Sequence, residues 1–104
     1  MAYNVSITES AENDLSEILE YISDSLSNPK AADSLLEDFL KAKANIENNP
    51  YIYPLSNDLT LQAEGYHRFL FKKNYIALYL IDDEKIEVVI MRIFYAKRKY
   101  DSLI

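Results

Sequence analysis

The sequence holds no cysteine among its 104 residues, one glycine, one histidine and three prolines. Without cysteine there is no disulfide framework, no thiolate metal site and no thiol nucleophile. That absence fits a reducing compartment, and a cytoplasmic location is expected. So little glycine and proline leaves no linker or low-complexity segment, and no stretch repeats. No apolar run approaches the roughly 18 residues a membrane span needs. Residues 1–20 lack the apolar stretch of a signal peptide. Neither membrane insertion nor export is expected. The length is that of one domain, read as residues 1–104, which can bury one core without staples.

Positive charge is also scarce. The net charge is −6, so bulk attraction to nucleic acid is excluded. The imbalance lies in residues 1–50, which carry ten acids and three bases, whereas residues 51–104 carry seven acids and eight bases. Exposed charges act over about 8 Å at physiological salt. The local basic clusters therefore matter more than the total.

What is present is strongly patterned. Tyr3, Val5 and Ile7 alternate with Asn4 and Ser6, as in a half-buried strand. Thr8 can cap a helix whose first turn holds Glu9 and Glu12, where the helix dipole favours anions. Ala11, Leu15, Ile18, Leu19, Ile22 and Leu26 then recur at helical spacing, predicting an amphipathic helix over about residues 9–26. Asn28 or Ser27 caps a second helix with Pro29 at its first position, running to about residue 48. It is expected to bury Ala32, Leu35, Leu36, Phe39, Leu40 and Ile46. Residues 51–65 have no steady period and read as a loop in which Tyr51, Ile52, Tyr53 and Leu55 plug the core's edges. Gly65 turns the chain into the sheet. Residues 66–72, 75–82 and 85–95 are rich in β-branched and aromatic residues and read as strands joined by tight turns. The expected fold class is α+β in the order β-α-α-β-β-β, a helical hairpin packed on one face of a small, mainly antiparallel sheet.

Five pieces in this order are similar to one family. They are Ile7-Thr8 leading into Ala11, Asp14-Leu15, Ile18 and Tyr21-Ile22; Asn28-Pro29 with Ala31-Ala32; Gly65-Tyr66-His67-Arg68; Asn74 to Tyr79; and Met91 to Tyr100. Across about residues 3–103 the chain resembles the RelE/ParE superfamily of toxins, most closely the plasmid-stabilisation, ParE-like group. The resemblance implies a growth-inhibiting toxin of a type II toxin–antitoxin pair, neutralised by a cognate antitoxin through which the complex can bind operator DNA. RelE-like members are ribosome-dependent mRNA endonucleases, and ParE-like members are described as inhibitors of DNA gyrase. Matched to the RelE-like pattern, this chain has His67 and Phe69 where lysines stand and Ile76 where an arginine follows the tyrosine. In the tail, Arg98 keeps a counterpart and Tyr100 is a loose one. A toxin that acts by binding a target such as gyrase is the leading expectation; the alternatives are a ribosome-dependent mRNA endonuclease and a non-toxic relative that only binds its antitoxin.

RNA cleavage needs a base, an acid for the leaving oxygen and cations at the phosphate. The residues offered for it are His67, Arg68, Arg98 and Tyr100. His67 is the one side chain that titrates near neutrality when unperturbed, and it reads more simply as an ordinary surface or edge-strand histidine. Arg68 and Arg92 interrupt apolar strands and must reach water, a ligand or a carboxylate, with Glu64 or Glu87 as candidates. Arg92, Lys97, Lys99 and Tyr95 are the residues expected to contact a partner or target. With Arg98 and Tyr100 the tail forms a basic–aromatic cluster suited to phosphates, stacked bases or an acidic antitoxin segment, or simply to water. A single histidine without cysteine makes no metal site. No glycine-rich phosphate loop is present, so no cofactor is expected.

Overall fold

The computed structural model describes residues 2–96. The alternating start of the chain forms strand β1 (Asn4–Ile7), and Thr8 caps helix α1 (Glu9–Glu20), its Oγ1 accepting the Ala11 N–H at 3.0 Å. The expected continuation of α1 to residue 26 does not hold. From Tyr21 to Ser25 the chain widens into a π turn, closed by the Leu26 N–H donating to the Tyr21 carbonyl at 3.0 Å. No glycine is present to end the helix. The chain escapes instead through Ser27 at a φ of 50°, and Pro29 keeps Asn28 out of the helical region. The wider turn keeps Ile22 in the core but turns Leu26 out, leaving it 56% exposed.

Helix α2 (Pro29–Asn48) follows, capped by Asn28 Oδ1, which accepts the Ala31 N–H. It buries Ala32, Leu35, Phe39, Ala42 and Ile46 against the sheet, whereas Leu40 faces water rather than the core. The segment read as a loop contains a short helix, α3 (Leu59–Ala63), capped by Asp58. Gly65, at a φ of 90°, ends α3 with paired bonds from its own N–H to Gln62 and from the Tyr66 N–H to Leu61. Tyr53 packs on the core, but Tyr51, Ile52 and Leu55 stay exposed.

Strands β2 (His67–Phe71), β3 (Tyr75–Asp82) and β4 (Glu87–Tyr95) complete a four-stranded sheet in the order β1-β4-β3-β2. β1 runs parallel to β4 and the other pairs are antiparallel, so the predicted α+β architecture is the one observed. Helices α1 and α2 cover one face, where Phe39 meets Phe69 and Phe71 with ring centroids 5.8 and 5.4 Å apart. On the opposite face Leu61, Tyr66, Ile76, Leu78 and Phe94 form a smaller cluster.

One irregularity decides which residues share a face. Leu78 pairs with Arg92 but Tyr79 pairs with Ile90, so Met91 is an extra residue in β4. Before the bulge, Val88 and Ile90 point to the helices; after it, Ile93 does, and Arg92 and Phe94 point away. β1 covers the edge of β4 only as far as Ile90. Beyond it α1 takes over. The Thr8 N–H donates to the Ile90 carbonyl and the Thr8 hydroxyl to that of Met91. The Asp14 carboxylate accepts the Ile93 N–H at 3.0 Å and two donors of Arg92, Nε at 2.8 Å and Nη2 at 3.1 Å.

With side chains only 16% and 29% exposed, Asp14 and Arg92 are shielded enough for this pairing to matter. Asp14→Asn is expected to lower the unfolding free energy by about 2 kcal/mol, as for lost hydrogen bonds to a charged group. Urea denaturation of Asp14→Asn, Arg92→Gln and the double variant should give a coupling above about 0.5 kcal/mol. Strict additivity would show that the two groups do not depend on each other.

Candidate functional site

The sheet face away from α1 and α2, partly covered by Leu61 of α3, carries the candidate recognition residues. Arg68 on β2 and Arg92 on β4 are both register partners of Leu78, so one row across the sheet reads arginine, leucine, arginine. Leu78 is fully buried between them. The two cations differ in state. Arg92 is held by Asp14, whose hydrogen bonds raise its pKa further, and its guanidinium carbon lies 5.8 Å from the centroid of the Phe94 ring. Neither Glu64 nor Glu87 supplies the expected partner. Asp14 does, from a helix 78 residues away in sequence. Arg68 is half-buried and donates a long 3.4 Å hydrogen bond to Asn57. Its Nε is buried without a partner, and among the described residues no carboxylate pairs with it.

His67 does not join this row. Consecutive strand residues point to opposite faces, and His67 lies on the helix side in register with Tyr79. Its Nδ1 donates to the Tyr53 carbonyl at 2.9 Å, an acceptor that fixes the proton on that nitrogen. Its ring stacks on Tyr79 at 5.3 Å and meets Tyr51 edge-on at 5.7 Å. With the Tyr79 hydroxyl donating to the Pro50 carbonyl, these contacts tie the segment after α2 to the sheet. The adjoining backbone covers the outer edge of β2, where the Arg68 N–H donates to Pro54 and the Ser56 N–H to Tyr66. Tyr95, 37% exposed, also lies on the helix side, edge-on to Tyr75. Lys97, Arg98, Lys99 and Tyr100 lie outside the described residues.

Sequence reasoning missed a second cluster, at the far end of the sheet. The Asp83 carboxylate, in the turn between β3 and β4, accepts hydroxyls from Tyr3 at 2.9 Å and from Tyr51. It joins the start of β1, the segment after α2 and the β3–β4 turn. No local pattern announces it, because Tyr3 and Asp83 are 80 residues apart. The two bonds, that from Tyr51 first, hold the Asp83 carboxyl below its ordinary value of 3.8. Reciprocally, the bond to Asp83 pushes the Tyr51 phenol up from 10.0 to about 12, and Tyr3 rises for the same reason. A carboxyl with a lowered folded pKa adds stability that is present above its unfolded value and lost as the pH falls through the folded one. A phenol with a raised folded pKa adds stability that is present below 10.0 and lost as the pH rises through about 12. The cluster is therefore intact between these limits. Absorbance titration of tyrosinate should show a group ionising near pH 12 that moves toward 10.0 in Asp83→Asn. An unchanged titration in the variant would rule out the link.

Comparisons with known proteins bear on what this fold is. The chain matches the family model described as the ParE toxin of the type II toxin–antitoxin system, parDE, over residues 5–100. No curated protein sequence matches it. Among solved structures it is similar to the chromosomal ParDE toxin–antitoxin system of P. aeruginosa, at 18% identity and a TM-score of 0.71, covering 92% of this chain and 98% of that one. It is similar to a variant of the E. coli toxin RelE in the free state, at 17% identity and a TM-score of 0.66, covering 99% and 93%. It is also similar to the RelBE2 toxin–antitoxin complex of Mycobacterium tuberculosis, at 23% identity and a TM-score of 0.62, covering 93% and 95%. At these identities the structures speak for the fold, and the sequence match for the family. On the matched 96 residues, this chain belongs to the ParE toxin family of type II toxin–antitoxin systems.

Proposed function

We propose that this toxin acts by binding rather than by cleavage, and that its target is DNA gyrase. The observation that supports a binding mode is the separation of the ionisable groups between two faces. The one histidine is engaged on the helix side, while Arg68 lies across the sheet from it. A general base and the cation that assists it must reach the same reacting phosphate, and these two point apart. Arg92, the next cation in the row, is already satisfied by Asp14. What this face offers is a half-buried guanidinium held by one long hydrogen bond, with Leu70 next to it 48% exposed. Such a surface suits a protein target whose carbonyls or carboxylates meet Arg68. The sequence Lys97-Arg98-Lys99-Tyr100, which follows β4 in the chain, would add charge and an aromatic ring to the same task.

A cognate antitoxin neutralises the toxin, as the toxin–antitoxin complexes among its structural relatives support. Operator DNA would be bound through that antitoxin, and action on gyrase puts the protein in the cytoplasm. Among the described residues no helix is long and apolar enough to cross a membrane.

Purified toxin at micromolar concentration is expected to inhibit supercoiling by gyrase. Arg68→Ala should raise the concentration needed by about tenfold, the loss of one charge-assisted hydrogen bond of about 1.4 kcal/mol. Its thermal midpoint should stay within about 2 °C of the parent, since no carboxylate partner is lost. Folded toxin that leaves supercoiling untouched would overturn the gyrase reading. If primer extension then shows new cuts inside translated codons, the endonuclease reading built on His67, Arg68, Arg98 and Tyr100 replaces it.

A further inference from the structure

A cleft lies between the end of α1 and the adjoining ends of β3 and β4, with Asp14 and the core residue Ile93 in its wall. Its volume is about 540 Å3, within the roughly 300–1,000 Å3 of ligand-binding clefts. Tyr21, Leu26, Tyr75, Tyr95 and Glu17 line it. We infer that this cleft binds an arginine side chain presented between apolar neighbours by a protein partner.

Three independent features point to a cation. The first is aromatic. Tyr75 and Tyr95 meet edge-on at 5.7 Å, and Tyr21 stands at the mouth, 56% exposed. Burial, and then the neighbouring phenols of Tyr95 and Tyr21, push the Tyr75 phenol up. Ring faces attract cations, most strongly where both are withdrawn from water. The second is charge. Glu17 is exposed at the rim, and among the described residues no lysine or arginine lines the cleft. Asp14 in the wall is paired with Arg92, so the two together add little net charge to the cleft. The third is the helix end. The last turn of α1 carries no basic residue, and neither does the π turn after it, so the negative end of the helix dipole is uncompensated at this spot.

The shape selects arginine and its flanks. Leu26, 56% exposed, and Ile18 offer apolar surface for a methylene stem, while the planar guanidinium can lie on a ring and fork to Glu17. An anionic ligand would meet Glu17 and the helix end unfavourably. A purely apolar one would desolvate that carboxylate without pairing it. The π turn is the local device that opens the site, because the extra residue turns Leu26 outward beside the exposed Tyr21. The inference does not depend on the gyrase reading, since it concerns the α1 side of the sheet and any protein partner that carries the motif.

The test uses the full chain, isotopically labelled, titrated with the capped tripeptide Leu-Arg-Leu and with its citrulline counterpart, which keeps the shape but not the charge. The arginine peptide should move the ring resonances of Tyr21, Tyr75 and Tyr95 saturably, and the citrulline peptide should bind at least about tenfold more weakly. Glu17→Gln and Tyr21→Ala, both at exposed positions, should each weaken binding by about tenfold while the amide spectrum stays folded. Equal response to both peptides, or shifts confined to other surfaces, would overturn the site. Binding that emerges only after Lys97, Arg98 and Lys99 are replaced by glutamine would assign the cleft to the chain's own tail. Concentration-dependent self-association without peptide would assign it to a second copy. Either result removes the partner.

Discussion

The structure depends on one carboxylate meeting the broken edge of one strand. β4 is central to the sheet, yet β1 is only four residues long and leaves the second half of β4 unpaired on that side. Unpaired backbone at such a place costs free energy or invites a foreign strand. Asp14 closes the gap, accepting both the Ile93 N–H and the Arg92 guanidinium, and Thr8 satisfies the bulge carbonyl while it caps the same helix. One contact thus fixes the helix on the sheet, the end of the strand and the pose of an arginine. The opposite edge is managed differently, by the backbone of Pro54 and Ser56 lying along β2.

The bulge at Met91 gives that contact its consequence. It changes the facing of β4 partway along, so that Arg92 leaves the helix side and joins the row of Arg68. The same step puts Ile93 where the core needs it. The row of arginines across the sheet and the anchoring of the helix are therefore coupled through a single residue. Arg92 serves the anchor directly, whereas Arg68 keeps one long bond to Asn57.

Scarcity of glycine shapes the rest. Besides Gly65, the chain takes positive φ values at Ser27, Lys72, Lys73 and Ile86, each costing of order 1 kcal/mol for a residue with a Cβ. Neighbouring contacts offset that strain. Asp38 accepts the Lys72 N–H at 2.7 Å and steadies the β2–β3 turn from α2. In the next turn Asp82 accepts the Lys85 N–H, the Ile86 carbonyl accepts the Asn4 N–H, and Asp83 gathers Tyr3 and Tyr51. Acidic side chains thus hold both hairpin turns, a structural use for part of the negative charge.

The sequence alone determined the elements whose signals are local. The caps at Thr8 and Asn28, Pro29 at a helix start, the stripes of α1 and α2, the Gly65 turn and the three alternating strands all follow from near-neighbour stereochemistry, and with them the α+β class and the family. Other features were decided only by the tertiary structure. Leu26 and Leu40 fit their helical stripes but are exposed, because a π turn and the limits of the sheet determine what each helix can cover. His67 and Arg68 are adjacent in the chain but separated by the thickness of the sheet. Alternation along β4 would put Arg92 with Val88 and Ile90, and one inserted residue reverses it. The pairs Asp14–Arg92 and Asp83–Tyr3 join groups 78 and 80 positions apart, and nothing local encodes which distant carboxylate a strand or turn will find.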